Sequence, residues 1–175
     1  MKWTDKGPGD FEVPEEGSYT AVCAGVIDLG TQTNEFQGET TSARKVALLW
    51  ELEEKTTQGK PFLMAGIYTQ SLHEKANLRK ILDSWIGSDL QADPSGFDAK
   101  TLLGKGCLLS VIHKNGKGRV SSVGKLPKNL SAPVMSKEPI YFSLNEFSQE
   151  KMDNLSKGWK RMIELSPEYK EIHPF

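Results

Sequence analysis

The spacing of apolar and polar positions divides this chain into strands, with one well-marked helix between them. "SYTAVCAGVIDLG" (residues 18–30) is rich in aromatic and β-branched residues and closes on glycine, which predicts a first strand. "ARKVALLWELEEK" (43–55) alternates. Val46, Leu48, Trp50 and Leu52 share one parity while Lys45, Glu51 and Glu53 share the other, so a half-buried second strand is expected. "TTQG" then turns the chain into "KPFLMAGIYTQ", a third strand that forms a hairpin with the second. The intervening "GTQTNEFQGETTS" is polar and turn-forming, and is expected to be a long loop.

Periodicity changes after residue 70. Ser71 and Glu74 have capping-box spacing, and Leu78, Ile81, Leu82, Trp85 and Ile86 follow the helical repeat until Gly87 stops it. A loop containing Pro94 and Gly96 leads to "CLLSVIHK" and "RVSSVGKL", two strands joined around Asn115-Gly116, a strong hairpin signal. From residue 129 the sequence is first linker-like. "IYFS" then predicts a short strand, and "SQEKMDNLSKGWKRMIEL" a helix that buries Met152, Leu155, Trp159 and Met162 and stops at Ser166-Pro167. "EYKEIHPF" reads as a tail. Residues 1–17 read as an arm broken by Gly7-Pro8-Gly9 and Pro14, with Trp3, Phe11 and Val13 as anchors. The expected division is an arm (1–17), a central domain (18–130) and a C-terminal extension with helix and tail (131–175).

Strand, strand, strand, helix, strand, strand is the element order of the OB-fold. The expected fold class is therefore mainly β: a five-stranded Greek-key barrel with a helix between strands three and four and a C-terminal strand-helix extension. The binding face of that fold lies on strands two and three, flanked by the loops between strands one and two and between strands four and five.

Composition adds one asymmetry. The net charge of the 175 residues is −1, yet residues 99–137 hold eight Lys or Arg and no Asp or Glu, leaving a net −9 elsewhere. A local positive field of this kind favours an anionic partner. No apolar run approaches the roughly 20 residues of a bilayer span, and the N-terminus lacks an apolar signal region. Cys23 and Cys107 form neither a disulfide framework nor a zinc cluster, and both are expected to be reduced and buried in a cytoplasmic protein.

Non-specific binding of single strands needs cations that follow phosphates and flat rings on which bases stack. Lys114, Lys117 and Arg119 supply the first around one turn, with Lys45 and Lys105 as extensions. Phe36, in a polar loop, and Tyr68, at the end of strand three, are the candidate platforms; Trp50 and Trp85 have core parity. The three histidines lack metal-ligand spacing, the lysine-glycine turns lack phosphate-loop spacing, and no nucleophile has a recognisable base beside it. Neither enzymatic activity nor a cofactor is expected.

The segments "GSYTAVCAGVIDLGTQ", "LLWELEEKTTQGKPF", "IYTQSLHEKANLRKILDSWIG" and "LLGKGCLLSVIHK" together resemble bacteriophage-encoded OB-fold single-stranded-DNA-binding proteins. The resemblance covers about residues 17–130. It implies binding of single strands exposed in phage DNA replication or recombination, within a bacterial host cytoplasm. The terminal Pro-Phe is similar to the tips by which bacterial single-stranded-DNA-binding proteins recruit partners, although Lys170 and His173 interrupt its acidic character. The alternative reading is a protein-interaction module that recruits or inhibits a replication, recombination or host factor. Open strand edges also leave room for a homodimer.

Overall fold

The computed structural model describes residues 12–87, 90 and 96–174. Trp3 and Phe11 of the expected arm, Pro94 of the loop and Phe175 of the terminal pair lie outside the described residues. Six strands form one sheet: β1 (Gly17–Phe36), β2 (Glu39–Lys55), β3 (Pro61–Thr69), β4 (Gly106–Lys114), β5 (Lys117–Gly124) and β6 (Ile140–Phe142). The order is β3-β2-β1-β4-β5, antiparallel throughout, with β6 added parallel to β1 at Gly25–Ile27. Helix α1 (Asn77–Trp85) lies between β3 and β4 in sequence, and α2 (Gln149–Asp153), α3 (Lys157–Glu164) and α4 (Pro167–Ile172) close the chain. β3 and β5 are the edges of the sheet. No ladder joins them among the described residues, so the sheet is not closed.

Besides β6, β1 serves two antiparallel neighbours. Its first residues pair with β4 from Gly17↔Val111 to Val22↔Gly106, and Ala21 onward pairs with β2. Bulges near Ala24 and Leu29 bend it, as extra residues in an antiparallel pair do. The expected loop at 30–42 is instead a two-stranded ribbon that continues the β1–β2 ladder to Phe36↔Glu39. Its turn is Gln37–Gly38, both residues at positive φ, the geometry that matches strand twist in two-residue hairpins.

Two cores lie on opposite faces of β1–β2. The first gathers Val46, Leu48, Trp50 and Leu52 of β2 with Leu109 and Val111 of β4, and with Leu82 and Trp85 of α1. Trp50 and Trp85 meet at 6.1 Å, and Trp85 Nε1 donates to Gly106 O at 2.9 Å. Cys23 and Cys107 are buried here, and burial pushes both thiols up to about 12. The second core joins Ile27, Leu29, Ala47 and Leu49 to Phe142, Leu144, Met152, Leu155 and Ile163. β2 is therefore buried on both faces along its middle, where alternation alone predicts one. Each fully buried apolar side chain contributes about 1.5–3 kcal/mol, so the C-terminal layer is a substantial part of the fold.

Three local expectations change. The Ser71/Glu74 box does not form. Gln70 N donates to Arg44 O and prolongs the sheet, Ser71 Oγ accepts from His73 N, and α1 starts after Ala76 without a side-chain cap. The helix expected at 148–165 divides at Asn154–Ser156 into α2 and α3. The tail becomes α4, whose start is capped by Ser166 Oγ accepting from Tyr169 N, with Pro167 in the first turn. Gly30 makes α4's approach possible: φ is +68°, and a Cβ there would stand 2.5 Å from that of Ser166.

Candidate nucleic-acid interface

Strand register places the β4–β5 turn just beyond the start of β1, because Val111 pairs with Gly17. The β2–β3 turn lies at this same end, since Ala21 pairs with Leu52 and Lys55 with Pro61. Asn115 and Gly116 both have positive φ and make a two-residue turn between Lys114 and Lys117, as predicted. Arg119 pairs with Ile112. Lys114, Lys117 and Arg119 are exposed and form no salt bridge among the described residues. Lys55 and Lys60, exposed beside the β2–β3 turn, add two cations that the sequence reading passed over.

This end also carries a feature that spacing did not reveal. Residues 12–16 run across it as a strap. Glu12 accepts from Thr57 N at 3.0 Å and from its hydroxyl, and Glu16 accepts from His113 N at 2.7 Å. His113 Nε2 donates to Pro14 O at 2.7 Å, and Pro14 is buried. Val13 packs where a Cβ on Gly118 would stand, with the end of Met64 beside it. The strap thus links β5, β3 and the β2–β3 turn across the unpaired edges. Hydrogen bonds from the Thr57 hydroxyl and amide hold the Glu12 carboxyl below its usual range. Of the three anchors expected for the arm, Val13 acts as one.

The other candidates lie elsewhere. Lys105 precedes β4, with its carbonyl accepting from Cys23 N, so the length of β4 separates it from the cationic turn. Lys45 pairs with Thr69 near Gly30, and its Nζ donates to Thr69 Oγ1 at 2.7 Å. Tyr68 pairs with Val46 and packs against the first core, its ring filling the space over Gly66. Burial pushes its hydroxyl up to about 12. The half-buried ring thus has one side against the core, and the parity of Tyr68 with Gly66 and Met64 was the available signal. Phe36 is 75% exposed at the ribbon tip, between Glu35 and across from Glu39. The structure brings Lys114, Lys117 and Arg119 together; it does not bring Phe36, Lys45, Tyr68 or Lys105 to them.

At the root of the ribbon, Asp28 collects five donors. Arg44 contributes two, at 3.2 and 2.6 Å, joined by Gly30 N (3.1 Å), Gln70 Nε2 (2.8 Å) and Leu144 N (3.1 Å). Burial alone would raise this carboxyl, but the bonds from Arg44, the two amides and Gln70 outweigh it and lower its pKa. Glu168 of α4 accepts from Thr31 N and Oγ1 at 2.9 and 2.5 Å, so the C-terminal layer is fastened to the same place.

A groove of about 520 Å³ runs beside β3 on the side of the second core, lined by Leu49, Glu51, Lys60, Leu63, Lys137 and Ile140. Glu51 is almost wholly buried there and accepts from Ser136 N at 3.1 and 3.3 Å. Among the described residues, no helix is long and apolar enough to cross a membrane. No family model matches this chain, and no curated protein is significantly similar to it.

Proposed function

We propose that this chain is a single-stranded-DNA-binding protein on an OB-type barrel, coating strands exposed during phage replication or recombination in a bacterial cytoplasm. The strand order β3-β2-β1-β4-β5, with α1 between β3 and β4, supports the barrel. So does the approach of Gly118 on β5 to Met64 on β3, the two strands a ladder would have to join. The proposed role is stoichiometric, not catalytic. It is carried by one observation: three exposed cations on a single hairpin, without salt-bridge partners among the described residues, inside a stretch of the sequence that has no carboxylate.

Among the described residues no strongly exposed Phe, Tyr or Trp accompanies these cations, so we assign the affinity mainly to phosphate contacts. Three neutralised phosphates give a log–log salt slope of about −2, at roughly −0.7 per phosphate of a single strand. Anisotropy of a labelled oligo-dT across a salt series measures this. A triple charge reversal at Lys114, Lys117 and Arg119 is expected to weaken binding at least about 100-fold at low salt. A salt-independent affinity, or a folded triple variant that binds like the parent, would count against the reading.

A second reading, docking of a protein partner, is favoured by the ribbon. Phe36 is exposed at its tip, and from Thr31 to Ala43 there are two carboxylates and no cation. That chemistry repels phosphate and suits a protein surface. Retention of a partner by the parent chain but not by Phe36→Ala, with no oligonucleotide binding by either, would establish it over the first.

A further inference from the structure

We infer that the strap of residues 12–16 is an intramolecular substitute for nucleic-acid phosphate, holding the anion positions of the cationic end until an incoming strand displaces it. This rests on the proposed binding of single strands. The groups that take the strap's carboxylates are backbone N–H groups and a hydroxyl: Thr57 N and Oγ1 for Glu12, and His113 N for Glu16. Such donors bind phosphate oxygens equally well, since both anions offer paired, charged acceptors. His113 directly precedes Lys114 at the β4–β5 turn, and Thr57 lies within the β2–β3 turn between Lys55 and Lys60, so a strand following the cations meets the same donors.

Charge supports the exchange. Without the strap, Lys55, Lys60, Lys114, Lys117 and Arg119 face Glu53 and Glu54; with it, Glu12, Glu15 and Glu16 bring cations and carboxylates to parity. Occupied by the strap, this end is balanced in charge among the described residues and attracts polyanions weakly. Released, it carries a net positive charge.

The attachment is also of a reversible kind. Glu12, Val13, Glu15 and Glu16 are exposed, and only Pro14 is buried. Two carboxylate contacts, the bond from His113 to Pro14 O and the seat of Val13 against Gly118 and Met64 hold it. Tyr19 OH donates to Glu15 O at 2.5 Å, close to where the strap enters β1. Being tethered at Gly17, the strap competes at a high effective concentration, so it lowers apparent affinity without forbidding binding.

The test measures oligo-dT binding by the full chain and by its E12Q/E16Q variant. The variant is expected to bind about three- to tenfold more tightly at low salt, the scale of losing two exposed competing carboxylates. The difference should shrink as salt rises. Gly118→Ala, whose Cβ would meet Val13 Cγ1 at 2.7 Å, is expected to act in the same direction while leaving both glutamates in place. A glutamate-specific protease applied to the unmutated chain gives an independent readout. Saturating oligonucleotide should accelerate cleavage after Glu12, Glu15 and Glu16. Equal affinities across the three proteins, or protection of the strap by oligonucleotide, would overturn the inference while leaving the binding function intact. If neither parent nor variant binds oligonucleotide at low salt, the functional reading fails and this inference with it.

Discussion

At one end of the sheet the Asn115–Gly116 turn carries Lys114, Lys117 and nearby Arg119, and lies under an acidic strap; at the other the Gln37–Gly38 turn presents Phe36 beside Glu35 and Glu39. Both turns join antiparallel strands through two residues at positive φ. Their backbone geometry is alike and their chemistry is opposite. The first end gathers exposed cations from two hairpins and sets a carboxylate-bearing strap beside them, whereas the ribbon tip leaves a large ring 75% exposed with no such neighbour among the described residues. A hairpin turn fixes where side chains stand; charge and cover decide what can meet them.

That contrast presumes one rigid body between the ends, and its severest test lies in the second core. Phe142 is 1% exposed and joins Ile27, Leu29 and Leu49 on the outer face of β1–β2. Phe142→Ala is expected to cost about 3–5 kcal/mol in denaturant melts, within a single cooperative transition. A change confined to a separate minor transition would make the C-terminal layer an independent unit, and the two ends would no longer share one frame.

A smaller effect is expected at Asp28, which separates the body from the ribbon. Asp28→Asn keeps the shape but removes the charge that Arg44 and two amides require, at roughly 1–3 kcal/mol near neutral pH. The folded pKa of Asp28 is lowered, so its contribution is complete above the ordinary value of 3.8 and is lost as pH falls through the lowered one. The parent should therefore lose stability on the acid side of that value, and Asp28→Asn should lose less. Denaturant midpoints between neutral and acidic pH measure both; an unchanged acid profile in the variant would remove Asp28 as the ribbon's anchor.

Phe36→Ala sharpens the contrast most finely. With its ring in solvent, the substitution is expected to change stability by less than about 0.5 kcal/mol and oligonucleotide affinity hardly at all. A stacked base would instead cost about 1–3 kcal/mol of binding. An anisotropy titration distinguishes the two, and a loss of that size would move the binding surface toward the ribbon.

Much of the fold was legible because short-range patterns report backbone geometry. The parity of Val46, Leu48, Trp50 and Leu52 placed one face of β2, and Asn115-Gly116 placed the β4–β5 turn. The same parity rule hid the second core. Ala47 and Leu49 are apolar on the face assigned to solvent, and their cover comes from Phe142, Leu144 and Ile163, about a hundred residues later. The capping box failed because Gln70 bonded to Arg44 instead of letting the sheet end, a tertiary override of a local preference. Among the site candidates, Lys114, Lys117 and Arg119 were readable as neighbours because one turn carries them. Tyr68, assigned to the groove as an aromatic at a strand end, has the parity of Met64 and packs its half-buried ring against the first core.

The sequence by itself determined the central parts of the strands, though not the ribbon over 30–42, and where the tight cationic turn falls and which residues around it bear charge, because each depends on neighbours a few positions apart. Tertiary structure alone decided that Glu12 and Glu16 lie on the cationic end, that the C-terminal helices cover the outer face of β1–β2, and that Phe36 stands far from the lysines. The physical reason is the same in each case. A carboxylate can bond any amide within about 3 Å, and an apolar side chain can cover any apolar face. Which of the many possible partners is met depends on how distant segments pack, and periodicity carries no record of that.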